Sequence, residues 1–208
     1  MFPDKIENIV KGIKYSKDNI GRSEDEVYIF ESKYVLKISN NKDRLKDEKE
    51  RIDFLNSCNI PCSKSICYLE ENDKCYYLRT CINGRSLIDK KIKENPELLI
   101  DILVEVINIL RSIDKYDCPF KSKDNVGTDF VHGDLCLPNI YVDENNKFVG
   151  FIDLDNSGRG DRWYDYSWLL WSLKYNLKTD KYNKVLLDRL GLKFDIDKYN
   201  EYIPEEKR

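Results

Sequence analysis

The sequence predicts an α+β protein with a β-rich amino-terminal part, residues 1–82, and a mainly helical carboxy-terminal part, residues 83–208. Two observations predict this division. Short segments rich in Val, Ile, Tyr and Phe dominate the first part, and longer stretches with helical hydrophobic spacing dominate the second. The pair Asn83-Gly84, which is typical of a turn, lies between the two parts, so we expect a hinge at about residues 80–84.

The amino-terminal part is expected to form a small sheet that carries one long helix. Leu45, Ile52 and Leu55 supply the apolar stripe of this helix, and Pro61 interrupts the pattern that follows it. In order, the predicted elements are a helix around Ile6–Ile13, strands at Glu26–Glu31 and Lys33–Asn40, a helix at Asp43–Ser57, and strands at Ser65–Leu69 and Lys74–Thr80.

The carboxy-terminal part is expected to contain a central helix, a β-hairpin and three further helices. Pro96 suits the first turn of the central helix, where its missing N–H costs no hydrogen bond, and Gly191 suits a helix end. The predicted elements are a helix from Pro96 to about Ile113, strands at Phe130–Val131, Asn139–Val142 and Lys147–Asp153, and helices at Tyr164–Tyr175, Asp180–Leu190 and Asp195–Tyr202.

Charge and composition exclude several classes of protein. The 208 residues carry 35 basic and 38 acidic side chains, whereas a general nucleic-acid binder carries a basic excess. Aromatic residues make up 12% of the chain, too many for a disordered polyelectrolyte. The first residues lack the apolar core of a signal peptide, and the longest apolar run, Trp168–Trp171, is far too short to cross a membrane. We therefore expect a cytoplasmic protein with neither nucleic acid nor membrane as a partner.

The cysteine pattern favours reduced thiols. The seven cysteines are an odd number without a C-x-x-C pair, and the chain contains a single histidine, His132. This pattern argues against a Cys/His zinc site and against a complete disulfide framework.

The segment from Val131 to Asn139 carries the residues best suited to chemistry. Asp134 lies in a loop that contains Gly and Pro, where a side chain can be held at a rigid position. Asn139 opens one arm of the predicted hairpin and Asp153 closes the other, so antiparallel pairing should bring them together. Their oxygen atoms suit Mg²⁺ held jointly with phosphate, and Asp134 can orient or deprotonate a hydroxyl group. Taken singly, each residue also fits a turn or a backbone cap.

A second signal lies in the amino-terminal part. Lys37 interrupts an apolar strand, and Glu48 falls on the same helix face as Leu45, Ile52 and Leu55. A carboxylate on a buried face needs a partner, and Lys37 is the nearest candidate by topology. Such a pair holds an ammonium group where nucleotide phosphates can reach it. The alternative interpretation is two exposed charges whose aliphatic stems pack on the surface.

These motifs together resemble the aminoglycoside phosphotransferase family, and within it the aminoglycoside 3′-phosphotransferases. The resemblance rests on His132-Gly133-Asp134 with Asn139, on Ile152-Asp153, and on the segment from Gly158 to Asp165. It extends to Leu110–Ile113, Cys118–Phe120, Gly21–Ser23 and Glu48-Lys49. It implies a protein-kinase-like two-lobe fold, with residues 1–82 as the nucleotide-binding lobe and 83–208 as the lobe for catalysis and acceptor binding.

The resemblance assigns roles to individual residues of the catalytic lobe. Asp134 would position and activate the acceptor hydroxyl group, and Asn139 and Asp153 would hold two Mg²⁺ ions. Asp165 would fix the catalytic loop, and His132 would belong to the scaffold of that loop.

The same resemblance assigns the nucleotide site. Lys37, braced by Glu48, would contact the α- and β-phosphates of ATP or GTP, and Ser23 would cover them. Val35 and backbone groups near Thr80 and Ile82 would contact the base of the nucleotide.

Departures from the family pattern concern the acceptor site. Only the short connector Lys121–Val131 stands where the family carries a helical segment with an acidic loop, and Trp171 and Tyr175 occupy positions that are charged in some relatives. Together with Trp168, these rings offer a surface for a sugar or a cation, although aromatic helix faces are more often core. The candidate acceptor carboxylates are Asp155, Asp161, Glu205 and Glu206.

The sequence thus predicts an ATP- or GTP- and Mg²⁺-dependent phosphotransferase that moves the γ-phosphoryl group to a hydroxyl of a small molecule, first of all an aminoglycoside antibiotic. The open alternatives are a kinase for a different alcohol or sugar and a nucleotide-binding pseudoenzyme with a degraded acceptor site. A protein kinase is a weaker option, because no long activation segment follows Asp153. The expected partners are the nucleotide and the acceptor, and the expected state is a monomer or weak dimer.

Overall fold

The computed structural model describes residues 2–18, 25–123 and 126–207. It divides into two compact units, residues 1–83 and 84–208. The first is built on a sheet and the second mainly on helices, so the predicted α+β class is confirmed. Within the described ranges, no helix combines the length and the apolar character that crossing a membrane requires.

In residues 2–18 and 25–83, the first unit is an antiparallel five-stranded sheet with two helices. Its strand order is β1-β2-β3-β5-β4. The elements are α1 (Asp4–Val10), β1 (Tyr15–Asp18), β2 (Glu26–Phe30), β3 (Tyr34–Ser39), α2 (Lys42–Ser57), β4 (Ser65–Glu71) and β5 (Lys74–Thr80). Strand β1 was not predicted, because its polar, mostly exposed residues carry no apolar alternation and become a strand only by pairing with β2.

Helix α2 places a carboxylate on the buried side of this unit. Asn41 caps its first turn by accepting a hydrogen bond from the Arg44 N–H at 3.1 Å. Leu45, Ile52 and Leu55 are buried, as the helical spacing predicted, and Glu48 is buried with them.

The second unit contains five helices and two small sheets, of order β6-β8-β9 and β10-β7, within the part of the chain that the structure describes. The strands are β6 (Arg85–Ser86), β7 (Asp129–Val131), β8 (Ile140–Val142), β9 (Phe148–Phe151) and β10 (Gly158–Gly160). The helices are α3 (Lys90–Lys93), α4 (Pro96–Ser112), α5 (Arg162–Leu177), α6 (Lys181–Arg189) and α7 (Ile196–Tyr202).

Helix α4 is the predicted central helix. Asn95 accepts a hydrogen bond from the Leu98 N–H at 3.2 Å, and Pro96 occupies the first turn. Seven of its apolar residues are buried, which matches the expectation that it belongs to the core.

The hairpin differs from its prediction at both open ends. Leu137–Asn139 forms a 3₁₀ turn that contains Pro138, so strand β8 begins one residue after Asn139. Strand β9 ends at Phe151, and Asp153 adopts a left-handed backbone conformation with φ of 55°. Asn139 and Asp153 thus lie just outside the hydrogen-bonded pairing of β8 and β9, and their positions shape the site.

Candidate active site

The loop between β7 and β8 is held by a buried carboxylate on α5. Asp165 is 3% exposed and accepts hydrogen bonds from the backbone N–H groups of His132 at 2.6 Å and Gly133 at 3.0 Å. Gly133 has φ of +85°, and a Cβ at this position would overlap the backbone of Asn156. The loop conformation that precedes Asp134 therefore depends on both a glycine and Asp165.

Burial controls the charge of Asp165 and of His132, the residue that begins this loop. It raises the pKa of Asp165 to about 7, against the opposite effect of the two N–H donors. It lowers the pKa of His132 to about 4, so this imidazole is neutral at pH 7. The Asp134 N–H donates to Nδ1 of His132 at 3.2 Å, so the ring proton belongs on Nε2. A buried, neutral imidazole of this kind fits the predicted scaffold role.

Asp134 is tied to Asn139 by two hydrogen bonds. The Asn139 Nδ2 atom donates to the backbone oxygen of Asp134 at 2.9 Å and to its Oδ2 atom at 2.8 Å. Asn139 is 6% exposed, so its side chain has little freedom to leave this position. Both amide protons are used, which leaves the amide oxygen as the atom available to a cation.

The hairpin register brings Asn139 and Asp153 to the same end of β8 and β9. Ile140 pairs with Phe151, and the Ile152 N–H donates to the Asn139 backbone oxygen at 3.0 Å. The amide oxygen and the carboxylate are hard donors of the kind that Mg²⁺ prefers, and Mg²⁺ usually takes only one or two protein ligands beside phosphate and water. Among the described residues no group of three or more His, Cys, Asp or Glu side chains suits a metal ion. The donor set therefore fits Mg²⁺ shared with phosphate rather than a closed protein site.

In the first unit, Lys37 and Glu48 form the predicted pair. The Lys37 Nζ atom lies 2.9 Å from Oε1 and 3.0 Å from Oε2 of Glu48. The Glu48 side chain is 2% exposed and that of Lys37 is 15% exposed, so the pair is not the surface contact of the alternative interpretation.

Sequence reasoning missed a third member of this group, Arg79 on β5. Its Nη2 atom lies 3.6 Å from Oε1 of Glu48. Burial favours the neutral acid, but the charges of Arg79 and Lys37 outweigh it and lower the pKa of Glu48. A charged residue directly after the run Cys75–Leu78, two positions from Tyr77 in the same strand, was the available signal.

The residues predicted for the base lie at the end of the same sheet. Val35 pairs with Arg79 across β3 and β5. The Thr80 N–H donates to the Lys64 backbone oxygen at 2.9 Å, so this donor is already used, and Ile82 follows in the segment after β5. Ser23 lies outside the described residues.

The candidate acceptor carboxylates occupy different settings. Asp161 caps α5 by accepting from the Trp163 N–H at 2.9 Å, and it also accepts from the Tyr202 hydroxyl at 2.9 Å and Lys198 Nζ at 2.8 Å. Glu205 and Glu206 are exposed on a 3₁₀ turn, and Asp155 is partly buried in a turn. Asp161 thus ties α7 to the start of α5, whereas the two glutamates remain accessible.

An aromatic surface lies along α5. Trp171 stacks on Tyr175, with ring centroids 5.2 Å apart. The ammonium of Lys207 lies 4.8 Å from the Trp168 ring centroid, and that of Lys178 lies 4.1 Å from the Tyr175 centroid. A groove of about 560 Å³ borders this surface and is lined by Trp171, Lys174, Tyr175, Lys178, Thr179, Asp180 and Lys207. The cations over these rings therefore belong to the chain itself.

Helix α5 connects this surface to the segment between β7 and β8. The Ser172 hydroxyl accepts a hydrogen bond from the Leu137 N–H at 3.0 Å, and the Cys136 thiol lies 3.9 Å from the Trp168 backbone oxygen. Asp134 and the groove are thus both anchored to one helix.

We expect strong coupling between Lys37 and Glu48. Lys37→Ala and Glu48→Ala should each lower kcat/KM for the nucleotide, and their effects should be non-additive by about 1–3 kcal/mol, because either change alone already removes the contact between the two charges. The measurement is a double-mutant cycle in steady-state kinetics. The control is the exposed pair Lys184 and Asp188 on α6, which has the same spacing of four residues along a helix and for which a coupling below about 1 kcal/mol is expected. Strict additivity at Lys37 and Glu48 would refute the functional pair.

The fold defines the class of protein. The structure superposes on the aminoglycoside phosphotransferase APH(3'')-Id of Streptomyces rimosus with a TM-score of 0.78, over 95% of this chain and 93% of that chain, at 17% identity. It also superposes on an aminoglycoside-3'-phosphotransferase of type VIII with a TM-score of 0.70, over 98% of this chain and 93% of that chain, at 17% identity. The chain therefore has the predicted protein-kinase-like fold.

Sequence comparison then defines the family. The model of the phosphotransferase enzyme family matches residues 15–129 and 125–202, and the chain belongs to this family. It is 30% identical over 242 aligned positions to a probable aminoglycoside 3'-phosphotransferase of Lactococcus lactis, covering 95% of this chain and 91% of the relative. An aminoglycoside 3'-phosphotransferase of Enterococcus faecalis is 28% identical over 53% of this chain and 58% of its own length. The predicted family is confirmed, and the chain is a phosphotransferase.

Proposed function

We propose that this phosphotransferase moves the γ-phosphoryl group of ATP or GTP to a hydroxyl group of a small molecule. The observation that carries the proposal is the geometry of Asp134, whose carboxylate is held by Asn139 in a loop anchored by Asp165. A structure of the Streptomyces rimosus relative was solved in complex with ADP and streptomycin, which supports a nucleotide and a small-molecule acceptor for this chain.

The residues of the chain have separate tasks in this reaction. Asp134 accepts a hydrogen bond from the acceptor hydroxyl and takes its proton as the new P–O bond forms and the bond to the leaving nucleoside diphosphate breaks. Asn139 keeps the Asp134 carboxylate in one orientation, and Lys37 donates hydrogen bonds to the nucleotide phosphates. Most of the rate enhancement comes from such positioning and charge neutralisation.

Asn139 and Asp153 are the residues that would hold Mg²⁺. Bound there, the metal would neutralise the negative charge of the phosphates. The hairpin register supports this assignment, because it places both residues at one end of β8 and β9.

The names of the relatives make an aminoglycoside the first acceptor to test. One observation favours the second candidate, a different alcohol or sugar. The groove beside α5 is lined by Lys174, Lys178 and Lys207 against the single carboxylate Asp180. A polyammonium acceptor in this groove would meet like charges, whereas a neutral or acidic acceptor would not.

The test is a set of steady-state measurements with acceptors that differ in charge. We expect turnover with at least one member of a panel of streptomycin, glucosamine, glucose and glucuronate. If the groove contacts the acceptor, Lys174→Glu should raise kcat/KM for the cationic members and lower it for glucuronate, because it reverses one charge beside the bound molecule. Lys181→Glu, an exposed change on α6 outside the groove, is the control.

The outcomes separate the candidates. Highest kcat/KM for streptomycin, unchanged by Lys174→Glu, would favour the aminoglycoside with a binding mode away from the groove. Nucleotide binding without turnover of an extended panel of hydroxylated acceptors would contradict the proposed function and favour the pseudoenzyme.

A further inference from the structure

We infer that Arg79 is a positioning residue of the nucleotide site, which holds the Glu48 carboxylate so that Glu48 can hold Lys37. The inference rests on the proposed function, because it takes Lys37 as the group that binds the nucleotide phosphates. It adds a residue from β5 to a pair formed by β3 and α2.

The sheet register explains why the three side chains meet. Lys37 pairs with Tyr77 across β3 and β5, and Arg79 lies two residues beyond Tyr77. Side chains two residues apart along a strand point to the same face of the sheet, so Lys37, Tyr77 and Arg79 share one face. Helix α2 brings Glu48 to that face, where Oε1 lies 2.9 Å from Lys37 Nζ and 3.6 Å from Arg79 Nη2.

Arg79 is itself held from the other side. Its Nη1 atom donates to the Ser63 hydroxyl at 3.1 Å, and Arg79 and Ser63 are 5% and 2% exposed. The Arg79 Nε atom is buried without a hydrogen-bond partner among the described residues. The guanidinium is thus fixed against Glu48 although one of its donors remains unsatisfied.

Stability alone is a poor explanation for this arrangement. Burying two cations and one carboxylate costs desolvation energy, and buried ion groups are often replaced by apolar side chains without loss of stability. An arginine that leaves one donor unsatisfied is therefore an unfavourable choice for packing. It is a favourable choice for keeping a carboxylate ionised and immobile beside a lysine that must present its ammonium to a ligand.

The consequence of removing Arg79 follows from the charges around Glu48. The charged and titratable groups nearest to this carboxylate are Lys37 from β3, Arg79 and Tyr77 from β5, and Arg44 from α2. Asp53 and Cys62 lie beyond them. The charge of Arg79 is the largest of the effects that lower the pKa of Glu48. Without it the pKa rises, so Glu48 becomes protonated at a higher pH and releases Lys37. Activity should then be lost earlier as the pH falls.

The experiment compares Arg79→Gln and Arg79→Lys with the wild type. We expect Arg79→Gln to raise KM for the nucleotide roughly tenfold, with a smaller change in kcat, and to shift the acidic limb of the kcat/KM profile upward by about one pH unit. Arg79→Lys, which retains the charge, should recover most of the pH profile. If Arg79→Gln does not fold, the Lys variant still tests the inference, because a lysine cannot reproduce both the Ser63 bond and the Glu48 contact, so nucleotide KM should still rise.

The matched control is Arg51→Gln. Arg51 is a buried arginine on α2, 5% exposed, whose Nη1 atom lies 3.5 Å from Asp47 Oδ2. We expect this variant to lower the melting temperature without moving the acidic limb. In a Lys37→Met background, Arg79→Gln should add little to the nucleotide KM, since Arg79 acts through Lys37.

Two results would overturn the inference. One is an Arg79→Gln variant that resembles Arg51→Gln, with lower stability but an unchanged nucleotide KM and pH profile. The other is an effect of Arg79→Gln that is undiminished in the Lys37→Met background. Nucleotide affinity measured by calorimetry without an acceptor keeps the two proposals distinct, because it reports on Arg79 even if no acceptor is phosphorylated.

Discussion

Asp134→Asn is expected to lower kcat by roughly 10²–10⁴-fold while nucleotide affinity changes little. The amide is close in size to the carboxylate but cannot take the proton of the acceptor hydroxyl. Because Asn139 donates to Oδ2 of Asp134 at 2.8 Å, the new side chain can present its oxygen to Asn139 and keep the loop intact. The measurements are steady-state kinetics and calorimetric titration with the nucleotide.

Two controls make this result specific. Asp117→Asn removes an almost fully exposed carboxylate of the same unit, which pairs with Arg159, and should leave kcat unchanged. The free energy of unfolding of Asp134→Asn should stay close to that of the wild type. Turnover that survives Asp134→Asn would remove Asp134 from the role of proton acceptor and with it the central part of the proposed function.

Asp165→Asn is expected to destabilise the second unit by about 2–3 kcal/mol and to lower activity with it. The Asp165 carboxylate uses one oxygen for the His132 N–H and the other for the Gly133 N–H. An asparagine offers one acceptor and places an NH₂ group against the second N–H, which is then buried without a partner. The free energy of unfolding, measured by denaturant titration, checks the magnitude.

The pH dependence of this effect has a defined sign. The pKa of Asp165 is about 7 in the folded protein and about 3.8 when the chain is unfolded, so the folded state binds more protons between these values. The contribution of Asp165 to stability is therefore fully present below about pH 4 and declines as the pH rises towards 7. The difference in stability between the wild type and Asp165→Asn should narrow over this range.

Asp188→Asn, an exposed change on α6 next to Lys184, is the control for Asp165→Asn and should alter stability by less than about 1 kcal/mol. A stability difference between the wild type and Asp165→Asn that widens from pH 4 to pH 7 would contradict a raised pKa for Asp165. It would mean that the two N–H donors, rather than burial, dominate the pKa of this carboxyl group.

Much of the candidate site was predictable because its signals are local. The spacing of Leu45, Glu48 and Ile52 by three and four residues places a carboxylate on the buried face of a helix whatever that helix packs against. The hairpin likewise brings Asn139 and Asp153 to one end of β8 and β9. In an antiparallel hairpin the position of the turn determines which residues of the two strands lie opposite each other. The roles of these residues in phosphoryl transfer remain proposals, whereas their placement is observed.

Other features depended on contacts between distant parts of the chain. Strand β1 forms only through pairing with β2, and Arg79 meets Glu48 only because β3, β5 and α2 pack together. The rings of Trp168 and Tyr175 were expected to offer a surface to a ligand, but Lys207 and Lys178 lie over them. Periodicity shows which face a side chain occupies but not which partner from elsewhere in the chain reaches it.

By itself the sequence determined the α+β class, the family, the order of the main elements and the buried position of Glu48. Only the tertiary structure decided which backbone N–H groups Asp165 binds, that Arg79 joins Lys37 and Glu48, and that Tyr202 of α7 donates a hydrogen bond to Asp161. The physical reason is that backbone propensity and hydrophobic spacing act within a few residues, whereas the charge state and orientation of a buried polar group depend on every neighbour that folding brings to it.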